Sequence, residues 1–307
     1  MIVHLNGQLM PIAEARISPL DRGFVFGEGI YEGLRAIAWP GHDAAESRVV
    51  GLRLHARRMQ SGLREAHIDF DAMQLGPLTD ALLSANAMRD AFVYWQVTGG
   101  TPGPTDPPRS RIAPRAMRPT VFGYCTPQPP LEAITQPPTK KVTICRDIRW
   151  ELGHVKSISL MGNVLSARKA DAAGADEAIF VRAEDGRLNA GVVTEGLATN
   201  IVFAFRRAAH DRDDVTIVTP SLDSAPMLAG ITRDLLLRLA PEIVQRPVHT
   251  SEIAAASEVM LIGTTTMVTS VVAIDGHPVG DGMPGPVARR LLGVLLKGIR
   301  AGRDIEP

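Results

Sequence analysis

Six prolines fall within the twenty residues from 119 to 138. Each proline lacks a backbone N–H and restricts its own φ, so a run this dense disfavours a regular helix or strand. The stretch is therefore expected to separate two folded parts. We predict a smaller N-terminal domain at 1–122, an interdomain linker at 123–139 and a larger domain at 140–307.

Hydrophobic patterning predicts helices and strands on both sides of this linker. Residues 92–98 (FVYWQVT) are β-branched and aromatic, as in a strand. One helical face is indicated by apolar residues at alternating spacings of four and three, namely Leu52, Ala56, Met59, Leu63 and Ala66. After the linker, strand-like segments such as KVTICR and EAIFVR alternate with helices at about 161–173, 231–240 and 287–300. The pattern predicts an α+β, two-domain chain whose second domain is richer in strands.

Composition excludes several classes of partner. The 307 residues are 45% hydrophobic, and the formal net charge is zero, so no global field favours nucleic acid or an anionic membrane. No run of 18 apolar residues occurs. Cys125 and Cys145 form no CxxC motif, which argues against a thiolate metal site and fits a reducing compartment. We expect a cytoplasmic protein with small-molecule partners, and neither nucleic acid nor membrane.

Primary amines are scarce, because only five of the 33 basic residues are lysines. Lys156, in GHVKSISLMGNVLSARKA, has apolar neighbours on both sides and lies where an irregular segment meets a predicted helix. Apolar surroundings disfavour the ammonium form and leave a nucleophilic amine. A lone lysine is more commonly a surface residue with an apolar stem. The other four lie beside the linker or on helices among charged or small residues: Lys140, Lys141, Lys169 and Lys297.

A carboxylate lies between two predicted strands in GVVTEGLATNIV, residues 191–202. The apolar flanks place Glu195 near the interior, where an unpaired carboxylate is costly. Glu195 either satisfies backbone N–H groups of its own turn or faces a cationic partner.

Two further segments could bind an anion. In MLAGITRD, Gly230 precedes a helix start at Ile231 and Thr232, where free N–H groups converge. In VMLIGTTTMV, a strand runs into Gly263 and three threonines. GxxxxGK[ST] is absent, and GxGxxG occurs only as GDGMPG at 280–285, a match too weak by itself to predict a nucleotide, so a phosphorylated cofactor is favoured. One lysine, one interior carboxylate and two anion sites match the requirements of pyridoxal 5'-phosphate.

The order of six motifs resembles that of the class IV pyridoxal-phosphate-dependent aminotransferases. The motifs are RGFVFGEGIYEGLR, HARRM, VKSISLMGNVL, TEGLATN, GITRD and GTT, and the resemblance runs from residue 22 to residue 276. It implies fold type IV, with a smaller N-terminal α+β domain and a larger strand-rich C-terminal domain, and a homodimer. It also implies that an amino group moves between an amino donor and a 2-oxo acid through a lysine Schiff base and pyridoxamine phosphate.

The resemblance assigns roles residue by residue. Lys156 becomes the catalytic Schiff-base lysine, and Glu195 the partner of the pyridine nitrogen. Arg58 matches the phosphate arginine, with Arg57 as the alternative one residue earlier. The further implied contacts are Ile231, Thr232, Thr264 and Thr265 for the phosphate, Leu228 against the ring, and Tyr31, Arg35 and Thr265 on the substrate side.

The motifs divide between members of the family. EGLR resembles branched-chain aminotransferases, whereas YWQVT and KSISLMGNVL resemble D-amino-acid transaminases. Met161 stands where branched-chain enzymes carry tyrosine, and residues 99–101 (GGT) stand where D-amino-acid enzymes carry an arginine and a histidine for the substrate carboxylate. Loop arginines could supply that contact instead, namely Arg109, Arg111, Arg115 and Arg118. We expect a D-amino-acid donor, with a branched-chain aminotransferase, an (R)-selective amine transaminase, an aminodeoxychorismate lyase or a cofactor-binding protein without turnover as alternatives.

Overall fold

The computed structural model describes residues 1–39, 47–113, 117–183, 190–206 and 215–302. They form two compact units. Among the described residues, the first comprises Met1–Ala133 and Val155–Ser159, and the second comprises Ile134–His154 and residues 160–302. The short segment 155–159 therefore belongs to the first unit, although the second unit surrounds it in sequence.

The first unit is an antiparallel sheet with its two longer helices packed on one face. Its strands are β1 (Ile2–Leu5), β2 (Gln8–Pro11), β3 (Gly29–Ala38), β4 (Ser47–Val49), β5 (Ala91–Thr98) and β6 (Thr120–Pro127), and its helices are α1 (Arg22–Phe26), α2 (Leu52–Glu65) and α3 (Leu75–Ala85). The strands lie in the order β2-β1-β6-β5-β3-β4, each antiparallel to its neighbour.

Strand β5 shows how this sheet separates its two faces. Successive side chains of a strand point to opposite sides, and Val93, Trp95 and Val97 are fully buried in the core with residues of α2 and α3. On the other face, Tyr94 and Gln96 are half-buried. The second face therefore remains available to polar and aromatic groups.

The second unit contains a mixed sheet. Its strands are β7 (Thr139–Arg146), β8 (Glu177–Arg182), β9 (Val192–Gly196), β10 (Asn200–Arg206), β11 (Val215–Thr219), β12 (Val244–Gln245), β13 (Glu258–Gly263), β14 (Met267–Ile274) and β15 (His277–Pro278), and its helices are α4 (Met161–Ala172), α5 (Ile231–Leu239) and α6 (Pro286–Arg300). The strands lie in the order β12-β11-β10-β13-β14-β7-β8-β9, and β15 pairs with β14. Pairing is parallel for β7 with β8, β7 with β14 and β11 with β12, and antiparallel elsewhere. Within the described ranges, no helix combines the length and hydropathy needed to cross a bilayer.

The proline-rich stretch holds more regular structure than its composition suggests. Strand β6 occupies 120–127, since residues 120–126 contain no proline, and Pro127 falls at the strand end, where a missing N–H is tolerated. The division between the units falls after Ala133. The domain limits at 122 and 139 stay a prediction.

Candidate active site

Lys156 lies in a short extended segment beside the first half of β3. Its carbonyl accepts a hydrogen bond from Tyr31 N at 3.0 Å, and Ile158 N donates to Gly29 O at 3.0 Å. The side chain is half-buried, and Nζ lies 4.3 Å from the centre of the Tyr31 ring, within the range of a cation–π contact. The sheet therefore fixes the backbone of the lysine and directs its amine along an aromatic face.

Tyr31 begins an aromatic ladder on the sheet face opposite the core. Its ring centroid lies 5.7 Å from that of Tyr94, which lies 5.2 Å from that of Tyr124. These are the three tyrosines of the whole chain. Burial and the neighbouring tyrosines raise the pKa of Tyr94, so its phenol stays protonated and donates to Gln96 Oε1 at 2.9 Å. The ladder, Tyr31–Tyr94–Tyr124, places an amphipathic wall next to Lys156.

Glu32, His55 and Arg58 form a buried group that we call the Glu32 cluster. Arg58 donates from Nε to Glu32 Oε1 at 2.8 Å and from Nη2 to Oε2 at 2.7 Å, and His55 Nδ1 lies 2.7 Å from Oε2. Burial would raise the pKa of Glu32, but Arg58 and His55 outweigh it and lower the pKa to about 2. Burial lowers the pKa of His55 in spite of Glu32, so the imidazole is neutral at neutral pH and donates from Nδ1.

The Glu32 cluster separates the two candidate phosphate arginines. Arg58 lies on the buried side of α2, and Glu32 holds its guanidinium in one orientation by a two-pronged contact. Arg57 is exposed on the same helix. The geometry favours Arg58 for the predicted role, because an oriented cation loses less entropy on binding an anion.

In the second unit, Glu195 is a buried carboxylate near the end of β9. Its Oε1 accepts from Arg149 Nη1 at 2.6 Å. Its Oε2 accepts from Asn200 Nδ2 and from Leu228 N, both at 3.2 Å. These donors hold the carboxylate in place and favour its ionised form.

Arg149 contacts a second carboxylate, and we call Asp147, Arg149 and Glu195 the Glu195 cluster. Arg149 Nη2 lies 2.8 Å from Asp147 Oδ2, and its Nε donates to Asp147 Oδ1 at 3.0 Å. Burial by itself would lower the pKa of Arg149. Asp147 and Glu195 outweigh burial, so the pKa of Arg149 is raised. One guanidinium thus lies between two anions.

Asn200 brings the predicted cofactor residues of this unit to the same end of the sheet. Besides Glu195, its Nδ2 bonds Leu228 O at 2.9 Å. A Cβ added to Gly230 would collide with Asn200 Oδ1, so only glycine allows helix α5 to start this close. Asn200 also pairs with Ile262 of β13, just before the GTT turn.

The two predicted anion sites have distinct geometries. Helix α5 begins after Gly230 without a side-chain cap, and Ile231 and Thr232 are buried in its first turn. Its first N–H groups thus meet the requirements for binding an anion. Thr264 and Thr265 lie in the turn joining β13 to β14, the first half-buried and the second exposed. A Cβ on Gly263 would touch Thr199 and Ala198 of the turn after Glu195.

Arg35, predicted on the substrate side, is a buried residue of β3. It is only 2% exposed, and its Nη2 donates to Pro129 O at 2.6 Å. This contact anchors the chain after β6, and a role of Arg35 on the substrate side stays a prediction.

Among the loop arginines, Arg109, Arg111 and Arg118 are exposed, and Arg115 lies outside the described residues. Arg22 fixes part of the loop by donating to Ser110 O at 2.6 Å and Arg111 O at 3.1 Å. Arg109 lies over the ring of Phe26, with Cζ 5.9 Å from the centroid, and a contact of a loop arginine with the substrate stays a prediction.

A family model for class IV amino-transferases matches residues 29–274. The chain belongs to the class IV aminotransferases. This aminotransferase is 30% identical over 305 residues to a D-alanine aminotransferase of Bacillus licheniformis, with 97% of each chain covered. It is 27% identical to a putative branched-chain-amino-acid aminotransferase of Methanocaldococcus jannaschii, covering 95% of this chain and 94% of that protein.

Solved structures agree on the fold. The aminotransferase superimposes on a branched-chain aminotransferase from Thermoproteus uzoniensis with norvaline at a TM-score of 0.80 and 24% identity, covering 99% of this chain and 96% of that one. A branched-chain amino acid aminotransferase from Thermobaculum terrenum in its PLP-form gives a TM-score of 0.79 at 22% identity, covering 98% and 94%. The predictions of an α+β fold of type IV and of the family are confirmed.

Family membership makes the protein a pyridoxal-phosphate-dependent transaminase, as predicted. The described residues fit this cofactor. The first unit offers the amine of Lys156 and the oriented cation of Arg58, while the second offers the interior anion of Glu195 and the uncapped start of α5. Each of these groups has the charge that one part of the cofactor requires.

The sequence reasoning missed the residues that hold the predicted ones in place. Glu32, His55, Asp147 and Arg149 were not assigned a role, and Asn200 was noted only as the last residue of TEGLATN. Glu32 and His55 were visible inside two quoted motifs, RGFVFGEGIYEGLR and HARRM. Asp147 and Arg149 stand seven or more residues before Lys156 and carried no comparable signal.

Proposed function

We propose that this enzyme transfers an amino group from a D-amino acid to a 2-oxo acid, with Lys156 as its catalytic residue. The observation that carries the proposal is the contact of Lys156 Nζ with Tyr31, because it places the amine beside a wall suited to a substrate. The D-amino-acid donor is supported by two D-alanine aminotransferases to which the chain is similar over nearly all its length, at 30% and 31% identity.

The proposal gives each predicted residue a chemical task. When bound, pyridoxal phosphate supplies an aldehyde that condenses with amines and a ring that accepts electrons when protonated. Lys156 would hold the cofactor through Nζ, and its amine is the group that would move a proton at the substrate Cα. Glu195 would accept the N–H of the ring nitrogen, and its negative charge would favour the protonated form of that nitrogen.

The remaining residues bind and position. The phosphate would be held by the guanidinium of Arg58, by N–H groups at the start of α5 and by threonine hydroxyls. The residues concerned besides Arg58 are Ile231, Thr232, Thr264 and Thr265. Leu228, whose backbone bonds Glu195, packs against the ring. Tyr31 and Thr265 contact the substrate.

Covalent mapping tests this assignment. Borohydride reduction of the yellow holoenzyme, followed by peptide mapping, should place the cofactor on Lys156. Lys169, on the helix α4 that follows this segment, is the matched control. Label on Lys140, Lys141, Lys169 or Lys297 would overturn the assignment.

One observation favours a branched-chain substrate as the second candidate. The ladder Tyr31–Tyr94–Tyr124 offers a large, largely apolar surface, which suits a leucine side chain better than a methyl group. A panel of D-alanine, L-leucine and (R)-1-phenylethylamine against pyruvate and 2-oxoglutarate decides between donors. A transaminase given donor alone converts its cofactor to the pyridoxamine form, whereas a lyase or a binding protein does not.

We also propose a homodimer in the cytoplasm. The second unit exposes apolar side chains on two segments, and Gly162 of α4 lies against Arg149 of the other segment. These side chains are Ile148, Trp150, Leu152, Met161, Val164 and Leu165. A surface with six exposed apolar side chains on two neighbouring segments favours association with another chain. Light scattering should give twice the chain mass for wild type and a monomer for the double variant Trp150→Glu, Met161→Glu.

The proposal of a cytoplasmic location is supported by the two cysteines, which are both free and buried and so fit a reducing compartment.

A further inference from the structure

Arg149 holds Glu195, yet it also opposes the charge that Glu195 is proposed to supply. A guanidinium 2.6 Å from a carboxylate orients it and keeps it ionised in the interior. The same positive charge reduces the attraction that Glu195 exerts on a neighbouring protonated nitrogen. An isolated Arg149–Glu195 pair would therefore be nearly neutral toward any third group.

Asp147 offsets this effect. Its carboxylate is fully buried and contacts Arg149 through both oxygens, at 3.0 Å from Nε and 2.8 Å from Nη2. Burial would raise the pKa of Asp147, but its bonds to Arg149 and the charge of Arg182 lower it overall, so it is an anion. Two carboxylates and one guanidinium leave the Glu195 cluster with a net charge of one negative.

The neighbours of Asp147 do not change this balance. Thr194 Oγ1 donates to Asp147 Oδ2 at 3.2 Å and is neutral. Arg182 Nε lies 3.4 Å from the same oxygen, but its Nη1 pairs with Glu151 at 2.7 Å. Arg149 also lies over the ring of Phe180, with Cζ 4.4 Å from the centroid, which keeps water from one side of the guanidinium. The local sum over these charged groups is again one negative.

We propose that Asp147 is a positioning residue that neutralises Arg149, so that Glu195 stays both fixed and effectively anionic toward the cofactor's ring nitrogen. This inference rests on the proposed function, in which Glu195 accepts the N–H of that nitrogen. Asp147 itself touches no reacting atom. Its role is electrostatic and acts through Arg149.

The pKa of the bound ring nitrogen tests the proposal directly. Holoenzyme is loaded with cofactor labelled with ¹⁵N in the ring, and the ¹⁵N resonance is followed against pH. In Asp147→Asn the cluster becomes neutral, and the midpoint should fall by about one pH unit. In Arg149→Gln the cluster gains negative charge, and the midpoint should rise. The double variant restores the net charge and should return near wild type.

Thr194→Val is the matched control, since it removes a hydrogen bond to Asp147 without changing any charge. It should leave the midpoint in place. If Arg149→Gln does not fold, Arg149→Lys replaces it. Because lysine keeps the charge, the midpoint should then stay near that of wild type even if the cofactor binds more weakly.

The outcomes separate this inference from the function on which it rests. If Glu195→Gln shifts the ¹⁵N midpoint but Asp147→Asn does not, the role of Asp147 is structural and the inference is overturned. Shifts of Asp147→Asn and Arg149→Gln in the same direction also overturn it. If Glu195→Gln leaves the midpoint unchanged, the ring nitrogen is not at Glu195, and the proposed site itself fails.

Discussion

In the Glu32 cluster of the first unit, one carboxylate is bonded by an arginine and a histidine, whereas in the Glu195 cluster of the second unit, one arginine is bonded by two carboxylates. With His55 neutral, the first cluster has no net charge, and Glu32 serves to orient the cation Arg58. The second cluster has a net charge of one negative, and Arg149 serves to orient the anion Glu195.

In both clusters a buried charge is held in place by an opposite charge, and the charge of the third group decides the net charge that the cluster presents to groups outside it. The first arrangement presents an oriented guanidinium without net charge, so it would hold a phosphate by directed hydrogen bonds, whereas the net negative charge of the second suits the stabilisation of a cationic ring. Variants in the first cluster should therefore alter cofactor binding, and variants in the second should alter the rate of chemistry.

The largest effect is expected for Glu195→Gln. Glutamine keeps the shape but removes the charge that favours the protonated ring, so the amino-transfer half-reaction should slow by about two orders of magnitude. Stopped-flow rates normalised to bound cofactor measure this. A variant with normal turnover and a lower melting temperature would show that Glu195 serves only to hold Arg149, Asn200 and Leu228 in place.

Arg58→Ala should act on binding instead. Loss of a charge-assisted contact should weaken cofactor affinity about ten- to a hundredfold, while the rate at saturating cofactor stays close to wild type. The melting temperature should also fall, because Glu32 loses a buried partner. Arg57→Ala, on the exposed side of α2, is the control and should change neither quantity. Reversed results would move the phosphate role one residue.

The pH dependence of stability should reveal Glu32. The pKa of Glu32 is lowered from about 4.5 to about 2. Ionised Glu32 therefore contributes about 3 kcal/mol to the free energy of unfolding above pH 4.5, and this contribution is lost as the pH falls toward 2. The free energies of unfolding of wild type and Glu32→Gln, measured with urea between pH 2 and 6, should therefore converge at low pH. Glu252→Gln, at a partly exposed pair with Arg246, should change this slope much less. Parallel curves for wild type and Glu32→Gln would contradict the low pKa.

The smallest effect is expected for His55. Burial lowers its pKa in the folded state, so the unfolded chain binds more protons just below pH 6.5 and stability decreases as the pH falls through that region. In His55→Gln the free energy of unfolding should decrease less steeply as the pH falls from 6.5 to 5. Part of the slope should remain, since burial also lowers the pKa of His4. A steeper slope in His55→Gln would mean that the histidine is charged in the fold.

Much of the fold could be predicted because its signals are local. The spacing of Leu52, Met59 and Leu63 predicted a helix that occupies Leu52–Glu65, and the segment 92–98 lies within β5. The strand β6 was missed because a count of prolines over twenty residues ignores where each one falls. Pro119 and Pro127 only flank or end the strand.

By itself, the sequence determined the family and predicted the chemical types of the site. The order of the motifs, the scarcity of lysine and a carboxylate in a strand turn are properties of the chain in one dimension, and they name Lys156 and Glu195 without any knowledge of contacts. The tertiary structure alone decided which groups surround them. Arg149 meets Glu195 across 46 residues of sequence, and Glu32 meets Arg58 across 26, because neighbouring strands and packed helices bring distant residues together. The tertiary structure also decided that Arg35 is buried and that Arg58 is held in one orientation. Burial and orientation depend on which distant residues pack around a side chain, and the order of residues near it does not specify those neighbours.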